Sequence, residues 1–339
     1  MKKTTIRDIA NEAGVSVALV SFVMSNQSRG ADKVYKVNET TSRRILEIAR
    51  RLDYRPNKAA RTLRSGKTNT IGVVLSDISN KFFADIARCI EDRAYGYDCT
   101  VIFGSTDENA CKLENLVKVF MDKGVDGLIV VPCVGSERFI RSLADSDLPL
   151  VLMDRECSDV NTSRVMLNNG AALSLAVSAL ADNGYSKIEM IAYDMRLSNI
   201  VEREAGYRSK MDEYGLSDNV AIHRIPYKNI YGQIREVVVS ALARGVEAFV
   251  FATNTLTIAG LKVLSDLGVT VPEKVRIVGF DDSGAFELYG TSITYVSQPV
   301  EQFGVRALDL LMEHISGGDP LSRKTVMLQP RLVVGNSSQ

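Results

Sequence analysis

The stretch TTIRDIANEAGVSVALVSFVMS, residues 4–25, contains two short helical patterns separated by a glycine. The apolar residues of the first pattern recur at helical spacing, as Ile6, Ile9, Ala10 and Ala13. Thr4 or Thr5 can cap its start, and Gly14 ends it. Ser16 can then cap the second helix. Two short helices joined by a glycine turn are typical of a helix-turn-helix.

The second helix has an inner and an outer face. Its inner residues are Val20, Val23 and Met24, and its outer residues are Val17, Ala18, Ser21 and Phe22. A third helix, which Asn38 can cap, has the inner residues Ile45, Ile48, Ala49 and Leu52. Its opposite face carries Arg43, Arg44, Arg50 and Arg51, which would lie beside the duplex if the second helix entered the major groove. The alternative is a small packing domain with a solvated basic face.

The charge of the chain is divided unevenly between this segment and the rest. All 339 residues together hold 41 Lys and Arg and 41 Asp and Glu. Residues 1–67 contain 15 basic and 6 acidic residues, a net charge of +9, and the remainder contains 26 against 35, a net of −9. The sequence therefore predicts a small basic unit that binds nucleic acid, followed by a larger acidic body.

Several classes of protein are disfavoured by motifs that the sequence lacks. No apolar run approaches the roughly 18 residues of a membrane helix, and the N-terminus does not resemble a signal peptide, so we expect a cytoplasmic protein that binds no membrane. The five cysteines contain no C-x-x-C and the two histidines lie far apart, so neither a metal site nor a disulfide framework is indicated. Dinucleotide, Walker and G-x-S-x-G motifs are absent. We expect no cofactor and no enzymatic activity.

From residue 71 onward, short continuous apolar runs alternate with helical patterns. The runs are IGVVLSD, TVIFGST, GLIVVP, LPLVLMD, IEMIAY, VAIHRI, EAFVFAT and VRIVGFDD. Such runs indicate parallel strands buried on both faces, and two sets of four predict two doubly wound lobes. Ligands of these sheets bind beyond the carboxyl ends of the strands. Those ends carry Asp77, Asp154, Arg155, Asn254, Asp281 and Asp282.

The small basic unit over residues 1–67, the head, closely resembles the LacI/GalR family of bacterial regulators. The segments that carry the resemblance are TIRDIANEAGVS at 5–16, VS at 20–21 and RPNKAARTLRSGKT at 55–68. The family implies an α/β protein with a helix-turn-helix domain over residues 1–54 and a hinge helix and linker over 55–69. It further implies a two-lobed effector-binding and dimerisation domain over 70–339, with the type I periplasmic-binding-protein fold.

The hinge segment begins at Asn57, which can cap a helix of about eight residues, too short to be stable alone. The resemblance implies that two hinge helices of a dimer lie in the minor groove and that Leu63 wedges into a base step. Alternatively, Leu63 is an ordinary interdomain core residue. The residues predicted to contact DNA are Thr5, Ser16, Val17, Ala18, Ser21, Phe22, Asn57, Ala60 and Leu63.

The head departs from the family pattern at two places. The family commonly has polar residues at the positions of Leu19 and Phe22, so an arginine contact with guanine is lost at position 22 and contact with thymine methyl groups remains. Residues 28–37 lengthen the following loop. This loop is either a tolerated surface insertion or a source of extra phosphate contacts through Arg29, Lys33 and Lys36.

The family's effector site transfers to this chain motif by motif. SNKFF at 79–83, NNGA at 168–171 and EREAGY at 202–207 carry part of it. The complete expected set is Asp77, Phe82, Phe83, Arg155, Asn169, Arg203, Asn254 and Asp281. Amides, a guanidinium, a carboxylate and aromatic rings suit a polyhydroxylated ligand, although Thr255 stands where the family usually has Asp. Each residue could instead be a helix cap or a buried hydrogen-bond partner.

These patterns predict a homodimeric transcriptional repressor that binds double-stranded operator DNA and responds to a small-molecule effector, a sugar or sugar derivative. The alternative is the sugar-binding component of a transport system, which the basic head and the missing signal peptide disfavour.

Overall fold

The computed structural model describes residues 4–26, 38–54, 66–157, 159–317 and 323–339. The chain divides into two compact units, Met1–Thr68 and Asn69–Gln339. The long loop at 28–37 and the predicted hinge residues Asn57, Ala60 and Leu63 lie outside the described residues.

The described residues of the first unit form three helices, α1 (Ile6–Ala13), α2 (Val17–Asn26) and α3 (Glu39–Arg51). Gly14 adopts φ 62°, the left-handed conformation that ends α1. Ile9, Val20 and Ile45, one from each helix, are fully buried in a common core. The backbone N–H of Leu19 donates to Ser16 Oγ at 3.2 Å, and that of Thr40 donates to Asn38 Oδ1 at 3.0 Å. The helix-turn-helix prediction is therefore confirmed.

The second unit contains two six-stranded sheets. The first lobe contains β1 (Thr70–Leu75), α4 (Lys81–Tyr95), β2 (Thr100–Ser105), α5 (Ala110–Asp122), β3 (Gly127–Val130), α6 (Glu137–Ala144), β4 (Leu150–Met153), β5 (Ser163–Leu167), α11 (Val300–Ile315) and β11 (Thr325–Leu328). Its strands are all parallel, in the order β11-β5-β4-β3-β1-β2.

The second lobe has the same construction. It contains α7 (Asn169–Ala181), β6 (Ile188–Tyr193), α8 (Ser198–Glu213), β7 (Ala221–Ile225), α9 (Ile230–Ala243), β8 (Ala248–Phe251), α10 (Asn254–Asp266), β9 (Arg276–Phe280), β10 (Thr294–Ser297) and β12 (Arg331–Val333). The order is β12-β10-β9-β8-β6-β7, and β12 alone in this sheet is antiparallel to its neighbour. The two doubly wound lobes predicted from the sequence are confirmed.

The chain passes between the lobes three times in the described part, after β5, after β10 and after β11. The eight predicted strands are all present, but β5, β10, β11 and β12 were not predicted. Their sequences SRVML, TYVS, TVML and RLV mix polar with apolar residues, so none of them is a continuous apolar run. All four adjoin a crossing, so the missed strands lie where the lobes are joined.

No helix among the described ranges is long and apolar enough to span a lipid bilayer.

The packing of α7 against α8 depends on Gly206, and this gives a first prediction. A Cβ at position 206 would lie 2.3 Å from the carbonyl oxygen of Gly170, which is backbone and cannot move aside independently. We expect Gly206→Ala to lower the free energy of unfolding by about 3 kcal/mol, at the upper end of overpacking costs. Thermal unfolding of the purified protein measures this.

Gly170→Ala is the matched control, because its Cβ would meet no heavy atom closer than 3.9 Å. It should be neutral or slightly stabilising, since alanine favours a helix over glycine. Equal midpoints for the two variants would contradict the predicted close approach.

Candidate functional site

The outer face of α2 is the candidate DNA-reading surface of the first unit. Ser16, Val17 and Ala18 are exposed, with Val17 41% accessible, whereas Ser21 and Phe22 are half-buried. Thr5 is also exposed, and its hydroxyl donates to the carboxylate of Asp8 at 2.8 Å. The exposed part of this face therefore presents methyl groups at its start and a hydroxyl at the helix cap.

The basic face of α3 is partly neutralised within its own unit. Arg51 forms an ion pair with Glu12, and Arg43 pairs with Glu39 at 3.1 Å. Arg44 also reaches the backbone carbonyl of Glu12, at 3.5 Å. Sequence reasoning placed these arginines along the duplex, and it missed that the Arg51 pair ties α3 to α1.

In the second unit, a cavity of about 220 Å³ lies where the strands of both sheets end. Ser76 and Asp77 follow β1, Asp154 follows β4, and Asp281 follows β9. Seven of the eight predicted effector residues line this cavity: Asp77, Phe82, Phe83, Arg155, Arg203, Asn254 and Asp281. Asn169 does not line it.

Arg203, from the middle of α8, is buried at the cavity and held from behind. Its Nε donates to Asn169 Oδ1 and one terminal nitrogen donates to the Ala252 carbonyl, both at 2.8 Å. The guanidinium also lies over the ring of Phe280, 3.9 Å from its centroid. Asn169 in turn donates to Glu202 at 2.9 Å. The sequence predicted that Asn169 contacts the effector. Instead, Asn169 positions Arg203 and is not part of the cavity wall.

Two aspartates at strand ends face Arg203. Asp154 and Asp281 both adopt the left-handed backbone conformation, with φ 67° and 61°. Asn199 Nδ2 donates to Asp154 Oδ2 at 3.1 Å, and Gln298 Nε2 donates to Asp281 Oδ1 at 2.8 Å. Burial raises the pKa of Asp154 and lowers that of Arg203, and loss of water in the cleft raises the pKa of Asp281 to about 6.

Three buried acceptor atoms around these groups have no protein donor: Asp154 Oδ1, Asn199 Oδ1 and Gln298 Oε1. All three residues line the cavity. A buried acceptor without a donor is costly, so this part of the cleft is suited to a ligand that donates hydrogen bonds.

Arg155 lines the cavity but is already bonded to its own lobe. Its two terminal nitrogens donate to the two carboxylate oxygens of Glu108 at 2.8 and 2.7 Å. They also reach the Pro132 carbonyl at 3.0 Å and Ser76 Oγ at 3.4 Å. The sequence offered Arg155 as an effector contact, whereas these partners use every terminal N–H of the guanidinium.

Aromatic side chains form the apolar walls. Phe82 and Phe83 meet edge to face at 5.0 Å, and Phe82 also packs on Phe303. The rings of Tyr193 and Tyr227 lie 5.4 Å apart, and burial raises the pKa of Tyr193 to about 12. Tyr193 lines the same cavity as Thr255, the position that departs from the family pattern. Phe82 therefore packs in the hydrophobic core and also lines the cavity.

The lining residues that sequence reasoning missed include Glu108, Tyr193, Asn199, Tyr227 and Gln298. Tyr193 ends the predicted strand IEMIAY and could have been found by the strand-end rule. Asn199 and Gln298 enter from a helix start and from the unpredicted strand β10, so no local signal marked them. No group of three or more His, Cys, Asp or Glu side chains in the described part of the chain is placed to hold a metal ion.

The raised pKa of Asp281 gives a second prediction. A folded pKa of about 6 against an ordinary 3.8 means that the folded protein holds this proton more tightly than the unfolded chain does. The corresponding stabilisation is present below pH 4 and is lost as the pH rises through 6. Asparagine mimics the protonated carboxyl, so we expect Asp281→Asn to be more stable than the parent at pH 7.5, by about 1–3 kcal/mol for a half-buried group.

The advantage of Asp281→Asn should shrink between pH 7.5 and pH 5 in thermal unfolding. Asp282→Asn, at an exposed neighbouring carboxylate, is the control and should show no such dependence. An advantage of the same size at both pH values would argue against a raised pKa of Asp281.

Two family models match separate parts of the chain. The family model for bacterial regulatory proteins of the lacI family matches residues 5–57, and that for a periplasmic binding protein-like domain matches 177–338. The chain is 31% identical over 315 residues to catabolite control protein A of Priestia megaterium, covering 92% of each chain. It is 26% identical over 338 residues to the HTH-type transcriptional repressor PurR of Histophilus somni strain 129Pt, covering 98% of each.

Among solved structures, the chain is similar to a lac repressor dimer bound to operator and the anti-inducer ONPF. The TM-score is 0.84 at 19% identity, over 99% of both chains. At this identity the likeness concerns the fold.

Proposed function

Because the chain belongs to the LacI family of bacterial regulatory proteins and is a DNA-binding transcriptional regulator, we propose that it is a homodimeric repressor controlled by a small polyhydroxylated effector. The effector, a sugar or sugar derivative, occupies the cavity between the two lobes of the second unit. Operator affinity follows the occupancy of that cavity.

The proposed operator contacts rest on the exposed face of α2 and on the charge of the head. Val17 and Ala18 present methyl groups, which suit contact with thymine methyl groups in the major groove. The other proposed operator contacts among the described residues are Thr5, Ser16, Ser21 and Phe22. The net charge of +9 in residues 1–67 supplies the phosphate attraction. One recognition helix reads few base pairs, so a two-fold dimer on an inverted repeat is the arrangement that gives specificity.

The observation that carries the effector proposal is the set of donor-less buried acceptors around Arg203. Hydroxyl groups can donate to Asp154, Asn199 and Gln298 and accept from Arg203, because each hydroxyl does both. The rings of Phe83 and Tyr193 supply apolar surface for the C–H face of a sugar. A cavity of about 220 Å³ is small beside common ligand pockets of about 300–1,000 Å³, which favours a ligand of monosaccharide size.

Contacts between the lobes explain how a ligand in this cavity can act at a distance. Asp154 of the first lobe accepts from Asn199 of the second, and the Glu156 backbone N–H donates to Ser198 Oγ at 2.8 Å. A ligand bound among these groups changes the relative stability of open and closed lobes. If the same closure biases the DNA-binding state, effector and operator affinities must be coupled reciprocally.

A direct experiment combines operator selection with a ligand screen. We expect selection of the full-length protein on a random duplex library to return an inverted repeat, with affinity that falls steeply with salt. A thermal-shift screen of sugars and sugar derivatives should then identify a ligand that adds about 2.7 kcal/mol at 100-fold its Kd. The same ligand should change operator affinity measured by fluorescence anisotropy.

The competing transport role gives a different result in the same experiment. A transport component would bind the sugar and select no inverted repeat. A purine or amino acid that stabilises the protein, with sugars inactive, would leave the regulator intact and contradict the proposed effector class.

A further inference from the structure

We infer that the effector cavity accepts a ligand that is rich in hydrogen-bond donors and carries no negative charge, and that it excludes phosphorylated and acidic sugars. This inference rests on the proposed function and narrows its ligand class. It follows from how the two cavity arginines are already compensated by carboxylates of the chain.

Arg155 has no terminal N–H group left for an anionic ligand, and its Nε, which has no hydrogen-bond partner, lies 3.4 Å from Asp154 Oδ2. The Glu108 carboxylate takes both terminal nitrogens of the guanidinium in a bidentate pair, with side-chain exposures of 8% and 7%. Pro132 and Ser76 take the remaining terminal N–H groups. The Glu108 carboxylate therefore neutralises the charge of Arg155 through direct hydrogen bonds, and no terminal N–H of Arg155 remains for a ligand.

Arg203 keeps unused N–H groups, but two carboxylates stand beside it. Asp154 and Asp281 line the same cavity as Arg203, and their negative charges oppose the fall in its pKa that burial causes. An anion placed on Arg203 would therefore also approach both carboxylates. In a water-poor cleft this like-charge repulsion is weakly screened.

The cavity as a whole has more negative than positive groups. Its lining holds four carboxylates, of Asp77, Glu108, Asp154 and Asp281, and the two guanidinium groups of Arg155 and Arg203. The buried acceptors of Asp154, Asn199 and Gln298 independently require donors from the ligand. Hydroxyl and ammonium groups donate hydrogen bonds and add no negative charge. A phosphate or carboxylate oxygen adds negative charge and donates no hydrogen bond.

The test uses matched sets of ligands that share one sugar ring and differ in a charged substituent. Each set contains a parent sugar and its amino, acidic and phosphorylated forms, such as glucose, glucosamine, glucuronate and glucose 6-phosphate. Binding to the full-length protein at pH 7.5 is measured by thermal shift and by titration calorimetry. In the set that binds, we expect the neutral or amino member to bind at least tenfold more tightly than either anionic member.

Glu108→Gln should reduce this ratio by severalfold, because it frees the charge of Arg155. Asp281→Asn should reduce it as well, by removing a repelling carboxylate without disturbing the Glu108 pair. Glu114→Gln is the control, because Glu114 forms an exposed ion pair with Lys118 on a helix of the same lobe and should leave the ratio unchanged.

The outcomes separate the two proposals. An anionic member that binds as tightly as its neutral parent overturns the charge inference and leaves a sugar-responsive regulator. If no member of any set binds, the proposed sugar effector fails and the inference fails with it. A ratio that is unchanged in both Glu108→Gln and Asp281→Asn contradicts the assigned cause of anion exclusion.

Discussion

An Arg203→Ala protein will bind operator DNA and will no longer change its operator affinity at effector concentrations that act on the parent. The guanidinium supplies charge-assisted donors at the cavity, each worth about 1.5–3 kcal/mol, so effector affinity should fall by about 100-fold. Asn169, Ala252 and Phe280 hold that guanidinium in place. Fluorescence anisotropy of labelled operator, titrated with the effector from the screen, measures the loss.

The same substitution should also destabilise the second unit. Removing Arg203 takes away the buried donor to Asn169 Oδ1 and to the Ala252 carbonyl, and an unsatisfied buried acceptor costs about 1–3 kcal/mol. Thermal unfolding must therefore accompany the titration, at a temperature where the variant stays folded. Arg203→Lys keeps the charge but loses the planar donor pattern, so it should fold better and still respond poorly.

Arg208→Ala provides the matched control, since Arg208 is exposed on the same helix. It should respond to effector like the parent. If Arg203→Ala responds at the same effector concentration as Arg208→Ala, the ligand binds elsewhere and the cavity assignment is wrong.

Ile45→Ala will weaken operator binding without affecting the effector site. Ile45 is fully buried between α1, α2 and α3, and truncation of a buried isoleucine costs about 2–5 kcal/mol. A three-helix unit of this size has little stability in reserve. We therefore expect most of the head to unfold and operator affinity to fall by about tenfold or more, in proportion to the fraction that stays folded.

The second unit should be unaffected because it has separate cores and forms its own compact body. Calorimetric titration with the effector should give the parent's affinity. Glu47→Ala, at an exposed position of α3, is the control for operator binding. If Ile45→Ala keeps the operator affinity of the parent, the head stays folded despite the space that the truncated side chain leaves in its core.

The sequence by itself determined the helix-turn-helix and the two-lobed body, because both depend on local signals. Gly14, Ser16 and Asn38 act within one turn of the helices that they end or begin. The eight predicted strands appear as apolar runs, because parallel strands covered on both faces are rich in apolar residues. The strand-end rule then placed seven of the eight predicted effector residues at one cavity.

Only the tertiary structure decided what each of these residues can do there. Asn169 holds Arg203 by a hydrogen bond, and Arg155 is paired with Glu108. The two residues of each pair are far apart in sequence. Gln298 reaches the cavity where the chain leaves β10 for the first lobe, and Asn199 reaches it from the start of α8. Whether their oxygens have donors depends on what surrounds them. Composition and periodicity record which residue types are present along the chain. Hydrogen-bond satisfaction and charge compensation are properties of side chains brought together from distant segments, so they arise only in the folded protein.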